Sequence, residues 1–553
     1  MFTKILVANR GQIAVRVMHT CHELGIRTIG VYTQADRQSP HVFLADEAYP
    51  IGEKNSAYSD AEAILQIANK SGAEAIHPGY GLLSDDSAFV EACQQQKITF
   101  VGPDVTLLRQ ATNRRFVREA AHRLNIPVIP EGKVSAATKI PDAKAEAARL
   151  GYPLVLKPVF GSGRGMRFVN AESEFQAAFE NARRESYSHF GSYEVLMEKF
   201  IPEVRFIDVP LIGDRFGHYV LFPERDGSIQ RKQNPMLEES PAFGLPAQVR
   251  EEVRQYARML AREVKYVGLG SCQFLFSQLD QKIYFLEMST ELGPNYPVTE
   301  TSTVVDLVEL QLRVAAGERL PFEQEFIPAR GVAVACRIAA EDPMQDFVAT
   351  TGTLRKVSEP RGPGIRVDSG MYEGQPVQLQ RDPILAQVVA HAYDRPRALS
   401  RLRRALDETV ILGVDTNLSF LAEVVSHPEF ATRPPTTLWL AQRMHDWEPP
   451  SPPNEALLAI AIADALAEER DGVFAYRAGH VRREVSVTRQ GKQYLVEIDG
   501  QRHITQVDPF TVGSIRVISQ LRPGQDIWAD FAIAGASRYV SIGGRPYLLT
   551  RES

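Results

Sequence analysis

No stretch of this 553-residue chain is apolar for long enough to span a bilayer, and its first ten residues lack the pattern of a secretory leader. Cysteine is scarce. Cys21, Cys93, Cys272 and Cys336 lie far apart, with neither the density of a disulfide framework nor the spacing of a zinc site. They read as reduced, packed thiols in a cytoplasmic protein. An excess of one charge is lacking too: the formal net charge is −6, from 62 Lys and Arg against 68 Asp and Glu. That balance gives no reason to expect nucleic acid or an anionic membrane as the main partner. No G-x-G-x-x-G follows the first apolar segment, so no dinucleotide site is read.

What is present is 44% hydrophobic and 24% charged, an ordinary globular composition, in a chain too long for one core. Through residue 102 short apolar runs alternate with amphipathic ones. Residues 4–8, 28–32, 75–76 and 98–102 read as strands, and 12–24, 61–70 and 87–95 as helices. This alternation predicts a parallel, doubly wound sheet. At the carboxyl ends of two strands lie the turns Ala8-Asn-Arg-Gly-Gln-Ile-Ala-Val-Arg16 and His77-Pro-Gly-Tyr-Gly-Leu-Leu-Ser84, where such sheets place ligands. Capped tight turns with no ligand would read the same way.

Further on, a basic helix is predicted over 109–124, followed by a strand over 151–157 that ends in Lys157. The run Gly161-Ser-Gly-Arg-Gly165 comes next; glycines let backbone N–H groups approach phosphate, and a lysine neutralises its charge. A second strand-and-loop, Tyr284-Phe-Leu-Glu287-Met-Ser289-Thr-Glu291-Leu-Gly-Pro-Asn295, brings Glu287 to a strand end, a common way to present a metal ligand. The prolines of 448–454 mark a linker. Beyond it a helix is predicted over 455–470 and strands over 484–488, 494–498 and 502–507.

Lys157, the glycine run, the 193–201 segment, the 284–297 stretch and both early turns together resemble the biotin carboxylase family of ATP-grasp enzymes. The resemblance runs without a large gap to about Leu440, roughly four-fifths of the chain. It implies an α/β fold. A pre-ATP-grasp α/β domain would occupy 1–113 and an ATP-grasp domain 114–330, with its lid at about 130–203. A carboxylase-type C-terminal domain would occupy 331–447, then the linker, then a helix and β-rich domain at 455–553 like the one joining carboxylase and biotinyl domains in acyl-CoA carboxylase α chains.

The same resemblance implies ATP and Mg²⁺ as cofactors. Nucleotide contacts fall on Arg114, Lys157, Gly161, Gly163, Gly165, Glu198, Lys199, Ile201, Gln230 and Leu275, metal contacts on Glu287, Gln273 and Ser289, and acceptor contacts on Arg337, Glu291 and Asn295. Several positions depart from the family pattern. The lid loop is one residue shorter. Arg114 replaces a lysine, Gln273 a glutamate, Ser289 an asparagine, and Phe206 and Gln233 replace histidines. On the acceptor side Pro235 replaces a lysine, Glu291 an arginine, Gly293 and Pro294 two bicarbonate contacts, and Asn295 the glutamate that would deprotonate bicarbonate. The leading expectation is an ATP-grasp enzyme turned to another acceptor, an organic acid activated as acyl phosphate or an amine. The alternatives are a silent subunit kept for assembly or regulation, and a working biotin carboxylase subunit of an acyl-CoA carboxylase. With no methionine-flanked lysine before Ser553, no covalently attached biotin is expected. Another carboxylase-type subunit on the β-rich tail, and a homo- or hetero-oligomer, are the partners implied.

Overall fold

The computed structural model describes residues 1–81, 83–159, 166–378, 383–478, 481–511, 514–519 and 526–552. Gly161, Gly163 and Gly165 fall outside them. The amino-terminal sheet is fully parallel, in the order Glu47–Gly52, Arg27–Thr33, Lys4–Val7, Ala75–His77, Thr99–Phe100. Ile5, Leu6 and Val7 are wholly buried, as a strand covered on both faces requires. Strand order reverses between Lys4–Val7 and Ala75–His77, so the two singled-out turns flank one crevice. They grip each other across it. Asn9 Nδ2 donates to the carbonyls of Pro78 and Tyr80 at 2.7 and 3.0 Å. Gly79 sits at φ +68°, and a β-carbon there would lie 2.7 Å from Asn9 Nδ2, so glycine is needed for the grip.

The single basic helix predicted over 109–124 is two, Val105–Ala111 and Arg114–Arg123. The break is a capping event. Asn113 turns its side chain to accept from the N–H groups of Arg115 and Phe116, starting a new helix one residue before Arg114. That fixes the direction in which Arg114 and its neighbour one turn on, Arg118, both point.

A nine-stranded, entirely antiparallel sheet forms the middle of the molecule. From one edge it runs Ile283–Ser289, Gly268–Ser277, Val204–Gly213, Arg225–Arg231, Asn234–Ser240, Val332–Ala339, Ile384–Ala392 and Ile365–Ser369, with Tyr219–Leu221 paired to Val204–Gly213. The ATP-grasp and carboxyl-terminal regions therefore share one sheet. Above it stands the lid, a four-stranded sheet in the order Glu131–Gly132, Val195–Lys199, Leu154–Pro158, Arg167–Val169, backed by helices Ile140–Leu150 and Glu172–Phe190.

The carboxyl-terminal residues close into an eight-stranded barrel, sealed by Gly472–Ala478 pairing with Arg545–Glu552. Helix Asn454–Ala467 shares its core. From Ala456 to Ala463 it is at most 3% exposed, and it is apolar all round, as an engulfed helix must be. One charge goes in with it. Asp464 accepts from Arg538 Nε at 2.7 and 2.9 Å and from the Tyr476 hydroxyl at 2.7 Å. The barrel abuts the body through Val410, Leu412, Ala532 and Tyr539. Among the described residues no helix is long and apolar enough to cross a membrane.

Removing Asp464 leaves Arg538 buried without a counter-ion, which costs about 3–5 kcal/mol. Asp464→Ala is therefore expected to lower hydrogen-exchange protection of the 454–467 amides by about a hundredfold or more. The double variant Asp464→Ala/Arg538→Met is expected to regain most of it.

Candidate nucleotide and acceptor site

Between lid and central sheet the fold gathers charged side chains from four elements. Lys157 comes from Leu154–Pro158 and Glu198 from Val195–Lys199, while Arg114 and Arg118 share one face of their helix at i, i+4 spacing. Glu287 rises from Ile283–Ser289, a strand that continues two residues beyond the position where the sequence pattern ended it. Lys157 Nζ lies 2.9 Å from Glu198 Oε2, and Arg118 contacts the other oxygen of the same carboxylate. Arg118 Nη1 reaches Glu131 Oε2 at 2.9 Å on the neighbouring lid strand. Arg114 Nε reaches Glu287 Oε2 at 2.7 Å, and its Nη1 donates to the Pro158 carbonyl at 2.8 Å.

Burial and pairing pull these groups in opposite directions. Burial depresses the Lys157 ammonium, and Glu198 restores only part of the loss. For Glu198 burial pushes the carboxyl up, but Arg118 and Lys157 outweigh it, leaving the group below the ordinary carboxylate range. Glu287 is likewise opposed by burial and held low by Arg114 and Lys157. Both carboxylates are thus ionised, and with Glu131 on Arg118 the cluster sets three carboxyl side chains against three cations, so an incoming polyanion would compete with these carboxylates for the cations.

Gln273 is the cross-strand partner of Glu287, so an amide and a carboxylate share one face of the sheet, with Ser289 two residues on and opposite Ser271. Among the described residues no group of three or more His, Cys, Asp or Glu is placed to hold a metal. One carboxylate and neutral oxygens suit a hard cation whose shell is completed by phosphate and water. Leu275 faces Phe206 across the sheet, and Gln230 faces Pro235. Ile201 follows the lid strand and is half-buried. Lys199 points elsewhere: its ammonium donates to the carbonyls of Gly151 and Tyr152, both at 2.9 Å, and it bonds within the lid rather than joining the cluster.

The acceptor loop is bound up in the protein itself. Glu291 Oε2 accepts from the Gly81 N–H at 2.7 Å and the Ser84 hydroxyl at 2.5 Å, so the second early turn meets this loop. Asn295 Nδ2 donates to Asp208 Oδ2 at 2.9 Å, and Asp208 is paired with Arg225 at 2.5 Å. Gly293, at φ +65°, brings the loop close enough that a β-carbon there would lie 2.7 Å from Asn295 Oδ1. Arg337 Nη2 lies 2.5 Å from Glu238 Oε2, and both residues are buried. Arg118, Glu131, Glu238 and the Asp208–Arg225 pair escaped the sequence reading. The one available signal was that Arg118 falls a helical turn after Arg114.

Three family models match the chain in succession. They are Biotin carboxylase, N-terminal domain at residues 1–108, Carbamoyl-phosphate synthase L chain, ATP binding domain at 113–323, and Biotin carboxylase C-terminal domain at 335–442. The α subunit of mitochondrial methylcrotonoyl-CoA carboxylase from Mus musculus is 40% identical over 451 residues, 81% of this chain and 63% of that protein. The chain thus matches less than two thirds of that relative's length. Biotin carboxylase 1 of Bacillus subtilis is 36% identical over 435 residues, 78% of this chain and 96% of its own length. Among solved structures, the biotin carboxylase domain dimer of Hydrogenobacter thermophilus 2-oxoglutarate carboxylase, in complex with MgADP, ADP and bicarbonate, is similar with a TM-score of 0.78. It is 36% identical and covers 81% of this chain and 99% of its own. By sequence along three successive domains and by fold, the chain belongs to the biotin carboxylase family of ATP-grasp proteins.

Proposed function

We propose that this chain binds Mg-ATP between its lid and central sheet and directs it to an acceptor other than bicarbonate. Support for the nucleotide half comes from the cluster of Lys157, Arg114 and Arg118 around two ionised carboxylates. Lys157 and Arg114 would hold phosphate oxygens. Glu287, with Gln273 and Ser289, would hold Mg²⁺, and the lid backbone from Glu198 to Ile201 would flank the base. Mg-ATP supplies a transferable phosphoryl group when bound there. The chain's own contribution is electrostatic, two cations held in a poorly solvated site by carboxylates with which the anion would exchange.

The acceptor half rests on one observation: of the side chains assigned to the acceptor, Glu291 is an acid and Asn295 an amide, and the one cation, Arg337, sits on a buried carboxylate. Glu291 is turned onto Gly81 and Ser84, Asn295 onto Asp208, and Arg337 onto Glu238. Arg337 alone brings positive charge to those positions, and it sits on a buried carboxylate. The amide of Asn295 does not accept a proton at neutral pH, and loss of a positioned general base costs about 10²–10⁴ in rate. Of these features the missing base alone discriminates: an organic acid is already a carboxylate at neutral pH and needs none to be activated as acyl phosphate, whereas bicarbonate carboxylation does.

A second reading draws on the extent of the likeness. Identity of 36% over 96% of a bacterial biotin carboxylase favours an ordinary biotin carboxylase subunit of an acyl-CoA carboxylase. Under either reading the carboxyl-terminal barrel, outside the residues matched by the three family models, is the surface on which a further carboxylase-type subunit would assemble.

Calorimetric titration with MgADP is expected to show binding by the wild type, weakened at least about tenfold in Lys157→Ala through loss of a charge-assisted contact. Equal binding by both proteins, or none by the wild type, would count against the nucleotide assignment. No bicarbonate-dependent ADP release is expected, with or without free biotin. Turnover above roughly a thousandth of a typical 10 s⁻¹ would instead establish the second reading.

Glu291 provides a separate check on the acceptor loop. Burial pushes its carboxyl up, only partly offset by Ser84 and Gly81. The folded protein therefore holds that proton more tightly than the unfolded chain, and stability falls as pH rises from the ordinary glutamate range through the raised value. Glu291→Gln keeps an acceptor for Gly81 and Ser84 without the ionisation. It is expected to melt higher than the wild type at pH 7, with the difference vanishing toward about pH 4. Equal melting at both pH values would place Glu291 in a solvated setting.

A further inference from the structure

Arg118 is the charged residue of the cluster to which no nucleotide, metal or acceptor role has been assigned. It is 2% exposed and presents two arms to two lid strands, one to Glu198 and one to Glu131. The Glu198 carboxylate is shared. Arg118 contacts Oε1, and Lys157 Nζ lies 2.9 Å from Oε2. Suppose Lys157 were the only partner of Glu198. Drawing its ammonium onto a phosphate would then strand a buried carboxylate, and stranding one partner of a buried ion pair weakens the competing event on the order of a hundredfold or more. With a second cation on its other oxygen, Glu198 stays paired when Lys157 leaves. A guanidinium suits this post. It does not titrate, and its planar fork serves two carboxylates at once. Glu131 keeps that fork in place from the adjoining strand, where it is the cross-strand partner of Glu198.

We infer that Arg118 is a positioning residue: it retains Glu198 so that Lys157 can pass from that carboxylate to a phosphate of the bound nucleotide. The inference rests on the nucleotide reading above and specifies how the lysine is made available. The charged groups facing Glu198 are Arg118 and Arg114 from the helix, Lys157 from Leu154–Pro158, Glu131 from Glu131–Gly132 and Glu287 from the central sheet. With Arg118 removed, Glu198 has to take up a proton when Lys157 leaves it. Nucleotide binding then becomes tighter as pH falls, a dependence that a packing role for Arg118 would not create.

The test is a double-variant cycle in the full chain, read by calorimetry with MgADP in buffers of different ionisation enthalpy. Arg118→Met is expected to weaken MgADP about tenfold or more and to introduce proton uptake on binding near neutral pH. In the Glu198→Gln background the same substitution is expected to change affinity by less than about threefold, because no fully buried carboxylate is left for the departing lysine to strand; Glu131, the other partner of Arg118, is 34% exposed. That comparison removes both partners of the buried pair, so it stands even where Arg118→Met alone fails to fold. Arg118→Lys, which keeps the charge but loses one arm, is expected to fall between wild type and Arg118→Met. An Arg118→Met effect of equal size in both backgrounds, or wild-type affinity without proton uptake in Arg118→Met, overturns the inference while leaving the nucleotide reading intact. Absence of MgADP binding by the wild type overturns both.

Discussion

Charge cannot be buried here without a partner, and much of the site's architecture follows from that constraint. A carboxylate or ammonium withdrawn from water costs several kcal/mol unless an opposite charge meets it. The short helix Arg114–Arg123 meets that demand for two sheets at once. Arg114 reaches down to Glu287 on the central sheet, and Arg118 reaches up to Glu198 and Glu131 on the lid. The lid is thereby held to the body partly by ion pairs in the same region that a polyanion would enter. Such contacts can exchange partners, whereas a packed apolar seam can only open or stay shut.

The acceptor side applies the same constraint with the opposite outcome. Asp208 with Arg225, and Glu238 with Arg337, are buried ion pairs closed on themselves. Glu291 is satisfied by a backbone N–H and a hydroxyl rather than by a cation, which is why burial still raises its proton affinity. What separates the two halves is charge type: three cations converge on the lid and central-sheet carboxylates of the nucleotide half, while the acceptor loop itself carries an acid, Glu291, and an amide, Asn295. This difference is set against a chain-long likeness to biotin carboxylases, so local chemistry and overall descent point in different directions at this one loop.

Much of this was legible in the residues. The early alternation of strand and helix gave the parallel sheet through its buried inner strands, while the edge strand Glu47–Gly52, half-exposed and without a continuous apolar run, was not read. Lys157, Glu198, Arg114 and Glu287 were selected from four separate segments, and the fold brings them together. Other features were hidden for physical reasons. Asn113 splits the basic helix by a cap, and a lone asparagine within a helical pattern does not announce that it will turn back on the backbone. Ser84 and Glu291 are 207 positions apart, so the contact that turns the acceptor loop away depends on packing between domains. Lys199 adjoins Glu198 in sequence, yet alternation along a strand sends neighbouring side chains to opposite faces, and it bonds within the lid instead.

The engulfed helix of the carboxyl-terminal barrel has a kinetic meaning. Asn454–Ala467 precedes every strand that surrounds it, and the seam that closes the barrel joins Gly472–Ala478 to Arg545–Glu552, the first strand to the last. An apolar helix cannot be threaded into a finished, hydrogen-bonded cylinder. It has to be present while the hairpins wrap around it, serving as their template, and the seam has to form after them. The slowest step is then the most non-local one, pairing across the full length of the barrel sequence. Until it is complete, two strand edges and a helix that is apolar from Ala456 to Ala463 stand open together, so on a growing chain this segment is exposed to pairing with its neighbours.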